Sequence, residues 1–279
     1  MSFKFKFLGT GTAVGVPQIG CSCPVCASTD PRDKRRRCGA YVSSNEGAFL
    51  IDTPPEMREA CIEYGINKVD AILLTHAHMD HVAGFDDIRR FNTINGRRVD
   101  CDPNSPGAFG RVTRIIGKSM NCYALPETIE AMHRIFPYIS SQGGQNGLYR
   151  PQIEFLDNSK PFEVCGLKVE AVRVSHGFPC CGYIISDGIK RLGYISDCHE
   201  IADAEIERLK GIDVMVLNCL RVREHATHLS LARALEYLNE ISPKKAYLTH
   251  LCHDLSYVQW KEKLPEDIEV GYDGLEVQL

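Results

Sequence analysis

The chain has 279 residues, of which 44% are hydrophobic and 24% charged, and its formal net charge at pH 7 is −4. This composition is that of an ordinary soluble globular protein and excludes disordered, collagen-like and coiled-coil chains. Because 32 basic residues are balanced by 36 acidic ones, no overall positive field is available to hold a nucleic acid. We therefore expect no nucleic-acid partner. The uncharged residues 9–29 are rich in glycine, threonine, proline and cysteine and would not span a bilayer, so we expect no membrane partner either.

Cysteine is unusually frequent in this chain, which contains 13 of them. The opening residues, MSFKFKFLGT, have no apolar core and no cleavage site of a secretory signal. We therefore expect a cytoplasmic protein. In that reducing compartment, clustered cysteines bind metals more often than they form disulfides.

Alternating or continuous apolar stretches predict short strands in the first half of the chain, and helices follow proline start signals. Strands are predicted over residues 3–8, 41–43, 48–51 and 69–74, and helices over 56–64, 127–135 and a short stretch from Gly84 through Phe91. Residues 96–120 lose this periodicity and contain several prolines and glycines, so we expect a loop insertion there that could cover a site.

The second half repeats the same alternation of strands and helices. Strands are predicted over residues 167–174, 183–186, 192–195, 214–217 and 246–249, and helices over 202–210 and 229–241. No linker divides the chain. We therefore expect a single domain over residues 1–279 with a layered α/β architecture.

Residues of the kind that bind metals follow four of the predicted strands. The run Thr75-His-Ala-His-Met-Asp-His comes directly after the strand that ends at Leu74, and His176, Asp197 and His250 each follow a later strand. Ligands bind at the carboxyl edge of the strands in open α/β sheets. Four such side chains lie within the six residues 76–81, which argues against a purely structural role for them.

Imidazole and carboxylate groups together suit zinc, manganese or iron. One group of three donors would be His76, His78 and His176, and a second would be Asp80, His81 and His250, with Asp197 bridging the two. Two metals held together can share a hydroxide that attacks at neutral pH. Counting the ions, both carboxylates and the hydroxide leaves about one positive charge, which favours an anionic phosphodiester as substrate.

The His-x-His-x-Asp-His run after a buried strand resembles the metallo-β-lactamase superfamily, and the resemblance extends from Leu8-Gly-Thr-Gly-Thr to Gly271-Tyr-Asp-Gly. It implies a four-layer αββα sandwich, in which two packed mixed β-sheets are flanked by helices. It also implies two divalent metals, zinc or manganese, at one sheet edge. The ligands that it implies are His76, His78, Asp80, His81, His176, Asp197 and His250.

The segment Gly20-Cys-Ser-Cys-Pro-Val-Cys resembles the PhnP-type cyclic phosphodiesterases, which hydrolyse phosphoribosyl cyclic phosphate and other phosphodiesters. That resemblance implies a structural zinc on Cys21, Cys23, Cys26 and His253, and the C-x-C-x₂-C spacing suits a closed Cys₃His site. Cys252 competes with His253 as the fourth ligand.

The same resemblance implies that His228 is a catalytic histidine that binds no metal and assists departure of the leaving group. Asp80 is a candidate both as a ligand and as a catalytic carboxylate. Asp52, at the end of a predicted strand, could orient a ligand histidine from behind; an ordinary structural role is the alternative for it.

The function predicted from the sequence is metal-dependent hydrolysis of a small or cyclic phosphodiester with assistance from His228. The alternatives are another hydrolase of the superfamily, such as a tRNA 3′-processing nuclease, a thioesterase or a lactamase, or an accessory protein that resembles the PQQ biosynthesis protein B. A homodimer is compatible with this prediction.

Overall fold

The structure is a computed structural model that describes residues 2–100, 113–140 and 150–279. Residues 101–112, in the middle of the predicted 96–120 insertion, lie outside the described part. The flanks of that stretch form two short antiparallel strands, β5 (Arg97–Asp100) and β6 (Thr113–Ile116). The ends of the predicted loop therefore have regular structure.

Two seven-stranded sheets form the body of the protein, with strands numbered along the chain. The first sheet has the order β16-β1-β2-β3-β4-β7-β8 and contains β1 (Lys4–Gly9), β2 (Gly39–Ser43), β3 (Ala48–Ile51), β4 (Ala71–Leu73), β7 (Met120–Ala124), β8 (Ile153–Asp157) and β16 (Glu276–Gln278). The second has the order β15-β14-β13-β12-β11-β10-β9 and contains β9 (Phe162–Val164), β10 (Leu167–Val174), β11 (Cys180–Ser186), β12 (Arg191–Ile195), β13 (Val214–Asn218), β14 (Lys245–Thr249) and β15 (Ile268–Val270).

Both sheets are mixed, with one antiparallel and one parallel half. Strands β3, β4, β7 and β8 are parallel in the first sheet, and β12, β13, β14 and β15 are parallel in the second. Strand β10 is two antiparallel pairings away from β12 and so runs in the same direction as β12. The carboxyl ends of β10, β12, β13 and β14 therefore lie at one edge of the second sheet.

The helices are short and lie between these strands. They are α1 (Pro24–Ala27), α2 (Met57–Glu63), α3 (Met79–Val82), α4 (Arg89–Ile94), α5 (Pro126–Ile135), α6 (Pro137–Ser140), α7 (Asp203–Leu209), α8 (Leu231–Ile241) and α9 (Tyr257–Lys261). Helix α8 starts two residues later than predicted because the Ser230 side chain caps it by accepting the N–H of Arg233.

The inner faces of the two sheets share one aromatic and aliphatic core. Phe5 of β1 packs against Tyr194 of β12 with ring centroids 5.6 Å apart, and Phe7 packs against Tyr247 of β14 at 6.0 Å. Burial on both faces explains why β3, with the sequence Ala-Phe-Leu-Ile, is apolar throughout rather than alternating.

Helices cover the outer face of each sheet through a separate apolar cluster. Met57 of α2 and Met132 of α5 lie in the cluster on the first sheet, and Leu238 of α8 and Trp260 of α9 lie in the cluster on the second. The resulting order of layers is helix, sheet, sheet, helix. The predicted four-layer αββα sandwich is confirmed.

Candidate metal centre and active site

The histidine run (residues 75–81) passes from the end of β4 into one turn of helix. The Thr75 N–H donates to Asp52 Oδ1 at 2.8 Å, which fixes the start of the run against the end of β3. His78 occupies the position before the first residue of α3. This single helical turn brings Asp80 and His81 back towards the sheet edge.

The first donor group consists of His76, His78 and His176, whose ligand atoms all lie within 4.8 Å of one another. His76 Nε2 is 3.0 Å from His78 Nδ1. Nitrogens bound to one zinc ion at 2.0–2.1 Å in a tetrahedron are about 3.3 Å apart. The spacing of this group therefore suits a single ion.

The second donor group consists of Asp80, His81 and His250, which also lie within 4.8 Å of one another. Asp80 Oδ2 is 3.3 Å from His81 Nε2 and 3.9 Å from His250 Nε2. His250 adopts a left-handed backbone conformation, with φ of 62°, immediately after β14. Such a conformation is costly for a residue other than glycine and is found most often at functional sites.

The carboxylate of Asp197 lies between the two donor groups. Its Oδ1 is 3.0 Å from His250 Nε2 and 3.9 Å from His176 Nε2, and its Oδ2 is 3.2 Å from His81 Nε2. The Asp197 side chain is only 2% exposed. One carboxylate therefore contacts members of both groups, as the predicted bridging role requires.

Several polar atoms of this cluster are buried without a hydrogen-bond partner among the described residues. They are His81 Nε2, Asp197 Oδ2 and both ring nitrogens of His250. Leaving buried polar atoms unpaired costs about 1–3 kcal/mol each, so native proteins pair them. Divalent cations bound between the donor groups would satisfy His81 Nε2, Asp197 Oδ2 and His250 Nε2, and nitrogen and oxygen donors of this kind suit zinc or manganese. The residues present therefore fit a pair of metal ions.

In three of the donor histidines, the ring nitrogen that faces away from the donor groups is held by a neighbouring polar group. The contacts are His81 Nδ1 to Asp52 Oδ2 at 2.7 Å, His176 Nδ1 to the carbonyl oxygen of Thr227 at 2.9 Å, and His76 Nδ1 to Thr75 Oγ1 at 2.9 Å. Such contacts fix the ring orientation and leave Nε2 free for a metal. Asp52, predicted to orient a ligand histidine, lies directly behind His81.

Protonation states in the metal-free cluster differ between the donors. Burial acts to lower the pKa of His81 and of His250, but the charge of Asp197 outweighs burial and raises both, whereas Asp197, His76 and His78 are shifted towards the forms that bind metals. Burial acts to raise the pKa of Asp197, but the neighbouring His250 and His81 outweigh burial and hold that pKa well below its ordinary value. Burial, assisted by the charge of His81, lowers the pKa of His76 well below the usual range, and burial with the charge of His176 lowers the pKa of His78. Neutral imidazole and ionised carboxylate are the forms that bind metals.

His228 lies beside the cluster and contacts two of its members, Asp197 and His250. Its Nδ1 is 3.8 Å from Asp197 Oδ1, and its ring stacks on that of His250 with centroids 4.5 Å apart. His228 also forms a group of potential ligand atoms with His176 and Asp197. Burial, followed by the charge of His250, lowers the pKa of His228 to about 2, so its ring is neutral in the protein alone.

Asn218 is a site residue that sequence analysis missed. Its Nδ2 lies 3.4 Å from His228 Nδ1 and 2.8 Å from the carbonyl oxygen of Ser196, while its Oδ1 accepts the N–H of Leu229. The Asn218 side chain thus contacts the His228 ring at Nδ1 and leaves Nε2 of that ring available for a substrate. The available signal was the position of Asn218 at the end of the apolar strand β13, the same placement that marked Asp197 and His250.

Three cysteines converge on one histidine at the N-terminal loop. His253 Nδ1 is 3.3 Å from Cys21 Sγ, 3.5 Å from Cys23 Sγ and 3.3 Å from Cys26 Sγ. Among the described residues, Cys252 is not a member of this group. The geometry therefore groups His253, and not Cys252, with the three cysteines, and the four atoms suit a closed tetrahedral zinc site.

Backbone hydrogen bonds connect this cysteine cluster (Cys21, Cys23, Cys26 and His253) to the candidate metal centre. The Leu251 N–H donates to the carbonyl of Thr10, and the Thr12 N–H donates to the carbonyl of Leu251. Leu251 directly follows the donor His250. The N-terminal loop is thereby attached to the strand end that carries His250.

None of the helices in residues 2–100, 113–140 and 150–279 combines the length and apolar character that crossing a bilayer requires.

Comparisons with known proteins place the chain in a family. The family model described as a beta-lactamase superfamily domain matches residues 48–251. A crystal structure described as a new diphosphatase from the PhnP family superposes with a TM-score of 0.84 at 33% identity, over 100% of this chain and 98% of that one. The Zn²⁺-bound PqqB from Methylobacterium extorquens superposes with a TM-score of 0.74 at 19% identity, over 99% and 100%, a likeness of fold.

A curated protein of Porphyromonas gingivalis (strain ATCC BAA-308 / W83), named octanoyltransferase, is 33% identical over 273 residues. The match covers 96% of this chain but 50% of that protein, so the chain spans half the length of this relative.

The two mixed sheets, their flanking helices and the donor groups at one edge define a metal-dependent hydrolase domain, as the sequence predicted. The chain belongs to the beta-lactamase superfamily and lies near the PhnP family within it.

Proposed function

We propose that the protein is a metal-dependent phosphodiesterase that hydrolyses a small or cyclic phosphodiester, such as a phosphoribosyl cyclic phosphate. The observation that carries this proposal is the placement of Asp197 between two three-residue donor groups, with carboxylate oxygens 3.0 Å from His250 Nε2 and 3.2 Å from His81 Nε2. The similarity to a PhnP-family diphosphatase supports phosphoester chemistry over the other reactions of the superfamily.

The metals in this proposal are two divalent ions, zinc or manganese. His76, His78 and His176 would hold one, Asp80, His81 and His250 the other, and Asp197 would contact both. When bound, such a pair supplies a hydroxide at neutral pH and positive charge beside the phosphoryl oxygens. Only two carboxylates lie among these seven side chains, so the loaded site keeps a net positive charge that attracts an anion.

Asp80 and His228 have different tasks. Asp80 is the more accessible carboxylate, at 13% side-chain exposure against 2% for Asp197, so it can accept a hydrogen bond from an attacking water molecule as well as bind metal. The neutral His228 ring would donate a hydrogen bond from Nε2 to a phosphoryl or leaving oxygen. Asn218 holds Nδ1 on the opposite side of that ring, which keeps this donor in place.

The cysteine cluster is proposed to bind one structural zinc. Its four donors leave no open coordination position for chemistry. Because backbone hydrogen bonds attach this part of the chain to the residue after His250, the zinc would stabilise the active site from outside.

The alternative of an accessory or carrier protein, suggested by the likeness to PqqB, predicts an incomplete donor set. All seven predicted donors instead belong to groups whose ligand atoms lie within 4.8 Å of one another. This completeness favours an enzyme. The octanoyltransferase name belongs to a protein twice as long as the match, and it motivates an acyl thioester as a control substrate.

The test compares hydrolysis of bis(p-nitrophenyl) phosphate, nitrocefin and octanoyl-CoA by zinc-loaded and manganese-loaded protein. We expect the wild type to hydrolyse the phosphodiester and the Asp197→Asn variant to have lost this activity. A Glu236→Gln variant, altered at an exposed ion pair with Arg233 on helix α8, serves as the matched control. Strong activity on the lactam or thioester without phosphodiester activity would contradict the proposal.

A further inference from the structure

Phe178 is a large exposed aromatic side chain beside the candidate metal centre. It lies two residues after His176, in the short connection between β10 and β11, and it is 39% exposed. Gly177 precedes it with φ of 78°, a conformation that glycine adopts without strain. Just beyond it, the Cys181 N–H donates to the carbonyl oxygen of Thr75, so the connection is fixed to the start of the histidine run.

The Phe178 ring packs against His78, a candidate metal ligand, and keeps part of its surface exposed. Its centroid is 5.2 Å from that of His78, with an interplanar angle of 34°. Single exposed apolar side chains are common on protein surfaces. Phe178 differs because its ring contacts His78 of the first donor group, in a position where a bound substrate would cover it.

Four rings are linked by successive contacts that run through two members of the first donor group. Consecutive centroids along Phe178, His78, His176 and His228 are 5.2, 5.2 and 4.8 Å apart. His228, which donates to the phosphoryl or leaving oxygen in the proposed function, is the last ring of this series. Phe178 is the first, so a substrate held at His228 that extends across the first donor group would reach Phe178.

We propose that Phe178 is a specificity-determining residue that stacks on a planar ring of the substrate, so that the enzyme prefers phosphodiesters carrying a nucleobase or aryl group. This inference rests on the proposed phosphodiesterase function and narrows its preferred substrates to esters that carry such a ring, which a base-free phosphoribosyl cyclic phosphate lacks. The phenylalanine side chain has no hydrogen-bonding group. It therefore binds a substrate ring by stacking on the face of that ring and does not read the hydrogen-bond donors and acceptors on the edge of the ring. Losing one such contact is expected to lower kcat/KM by about 3- to 10-fold.

The test uses two substrates with the same cyclic phosphate: adenosine 2′,3′-cyclic phosphate and the methyl riboside 2,3-cyclic phosphate, which lacks the base. We expect the wild type to prefer the base-bearing substrate. Phe178→Ala should lower kcat/KM for that substrate about 3- to 10-fold, mainly through KM, and change the base-free substrate less than 2-fold. Phe178→Tyr keeps the ring and should retain the preference. Ile189→Ala, at a 75% exposed apolar side chain in the β11–β12 turn, is the matched control.

Two outcomes would overturn the role of Phe178. An equal loss on both substrates would show that the ring only positions His78, and metal analysis of Phe178→Ala would then reveal reduced occupancy. An unchanged preference in Phe178→Ala would show that the ring does not contact the substrate.

A separate binding measurement distinguishes this proposal from the proposed function. If the wild type hydrolyses neither cyclic phosphate, the phosphodiesterase proposal fails for them. In that case, binding of 2-aminopurine riboside 5′-monophosphate to the zinc-loaded protein, measured by quenching of the 2-aminopurine fluorescence, decides the role of Phe178. Binding that is about 3- to 10-fold weaker in Phe178→Ala supports stacking, and equal binding by both proteins overturns it.

Discussion

Asp52 Oδ2 lies 2.7 Å from His81 Nδ1, and both side chains are completely buried. The contact fixes the His81 ring so that Nε2 faces Asp80 and Asp197 at 3.3 and 3.2 Å. The same carboxylate accepts the N–H and the hydroxyl of Thr75. Asp52 thus joins the end of β3 to both ends of the histidine run.

The first prediction concerns this carboxylate. Asp52→Asn should weaken metal binding at the second donor group about 10- to 100-fold, because such supporting carboxylates orient the ring and increase its basicity. Titration with metal in the presence of a competing chelator measures the change in metal affinity. Glu236→Gln should bind metal like the wild type. Unchanged affinity in Asp52→Asn would contradict the orienting role.

The second prediction separates catalysis from metal binding at His228. His228→Ala should lower kcat for a phosphodiester about 10²- to 10⁴-fold, the range of a positioned proton or hydrogen-bond donor. The metal content should remain unchanged, as elemental analysis would show. Loss of a metal equivalent would instead identify His228 as a ligand, since its ring nitrogen lies within 4.8 Å of donor atoms of His176 and Asp197.

The third prediction concerns the cysteine cluster. Cys21→Ser should remove one zinc equivalent and lower the thermal unfolding temperature, because metal binding to such a site contributes directly to folding. Cys252→Ala is the matched control, since this cysteine neighbours His253 in sequence but lies outside the group of converging donors. Equal zinc content in the wild type and Cys21→Ser would contradict the proposed structural zinc.

The fourth prediction is a pH dependence of stability at Asp273, which belongs to none of the candidate donor groups formed by the described residues. Burial raises the pKa of Asp273 from 3.8 to about 6, although the Arg36 N–H and the Thr10 hydroxyl both bond its carboxylate. The folded protein therefore holds this proton more tightly than the unfolded chain does. The protonated Asp273 side chain adds to the free energy of unfolding below about pH 4, and this stabilisation is lost as the pH rises through about 6.

The change is measured as the difference in free energy of unfolding between the wild type and Asp273→Asn from pH 4 to 7. The wild type should lose about 1–2 kcal/mol relative to the variant over that range, because Asp273 is half-buried and nearby solvent weakens the effect of burial. A flat or rising difference would contradict the raised pKa.

The sequence predicted those features that follow from strong local patterns. The buried strand before the histidine run and the strand before His250 are continuous apolar stretches, so their ends, and with them the donors, could be placed. The edge strands β8, β9, β15 and β16 were not predicted because they are short and partly exposed, with pairing decided by distant neighbours.

The remaining ambiguities depended on side-chain direction. Cys252 and His253 are adjacent in sequence, so spacing alone could not select between them, whereas the turn after Leu251 points only His253 towards the cysteines. Asn218 was missed because asparagine after an apolar stretch is as typical of a turn as of a site. Its role depends on Ser196 and Leu229, which chain folding brings beside it.

The central claim is that two neighbouring metal ions share Asp197. A crystal of the metal-loaded protein, measured at the absorption edge of zinc or manganese, tests it most directly through the anomalous difference map. The account predicts two peaks about 3.5–4 Å apart, one beside His76, His78 and His176 and the other beside Asp80, His81 and His250. A single peak, or none, at this edge of the sheets in fully loaded protein would contradict it.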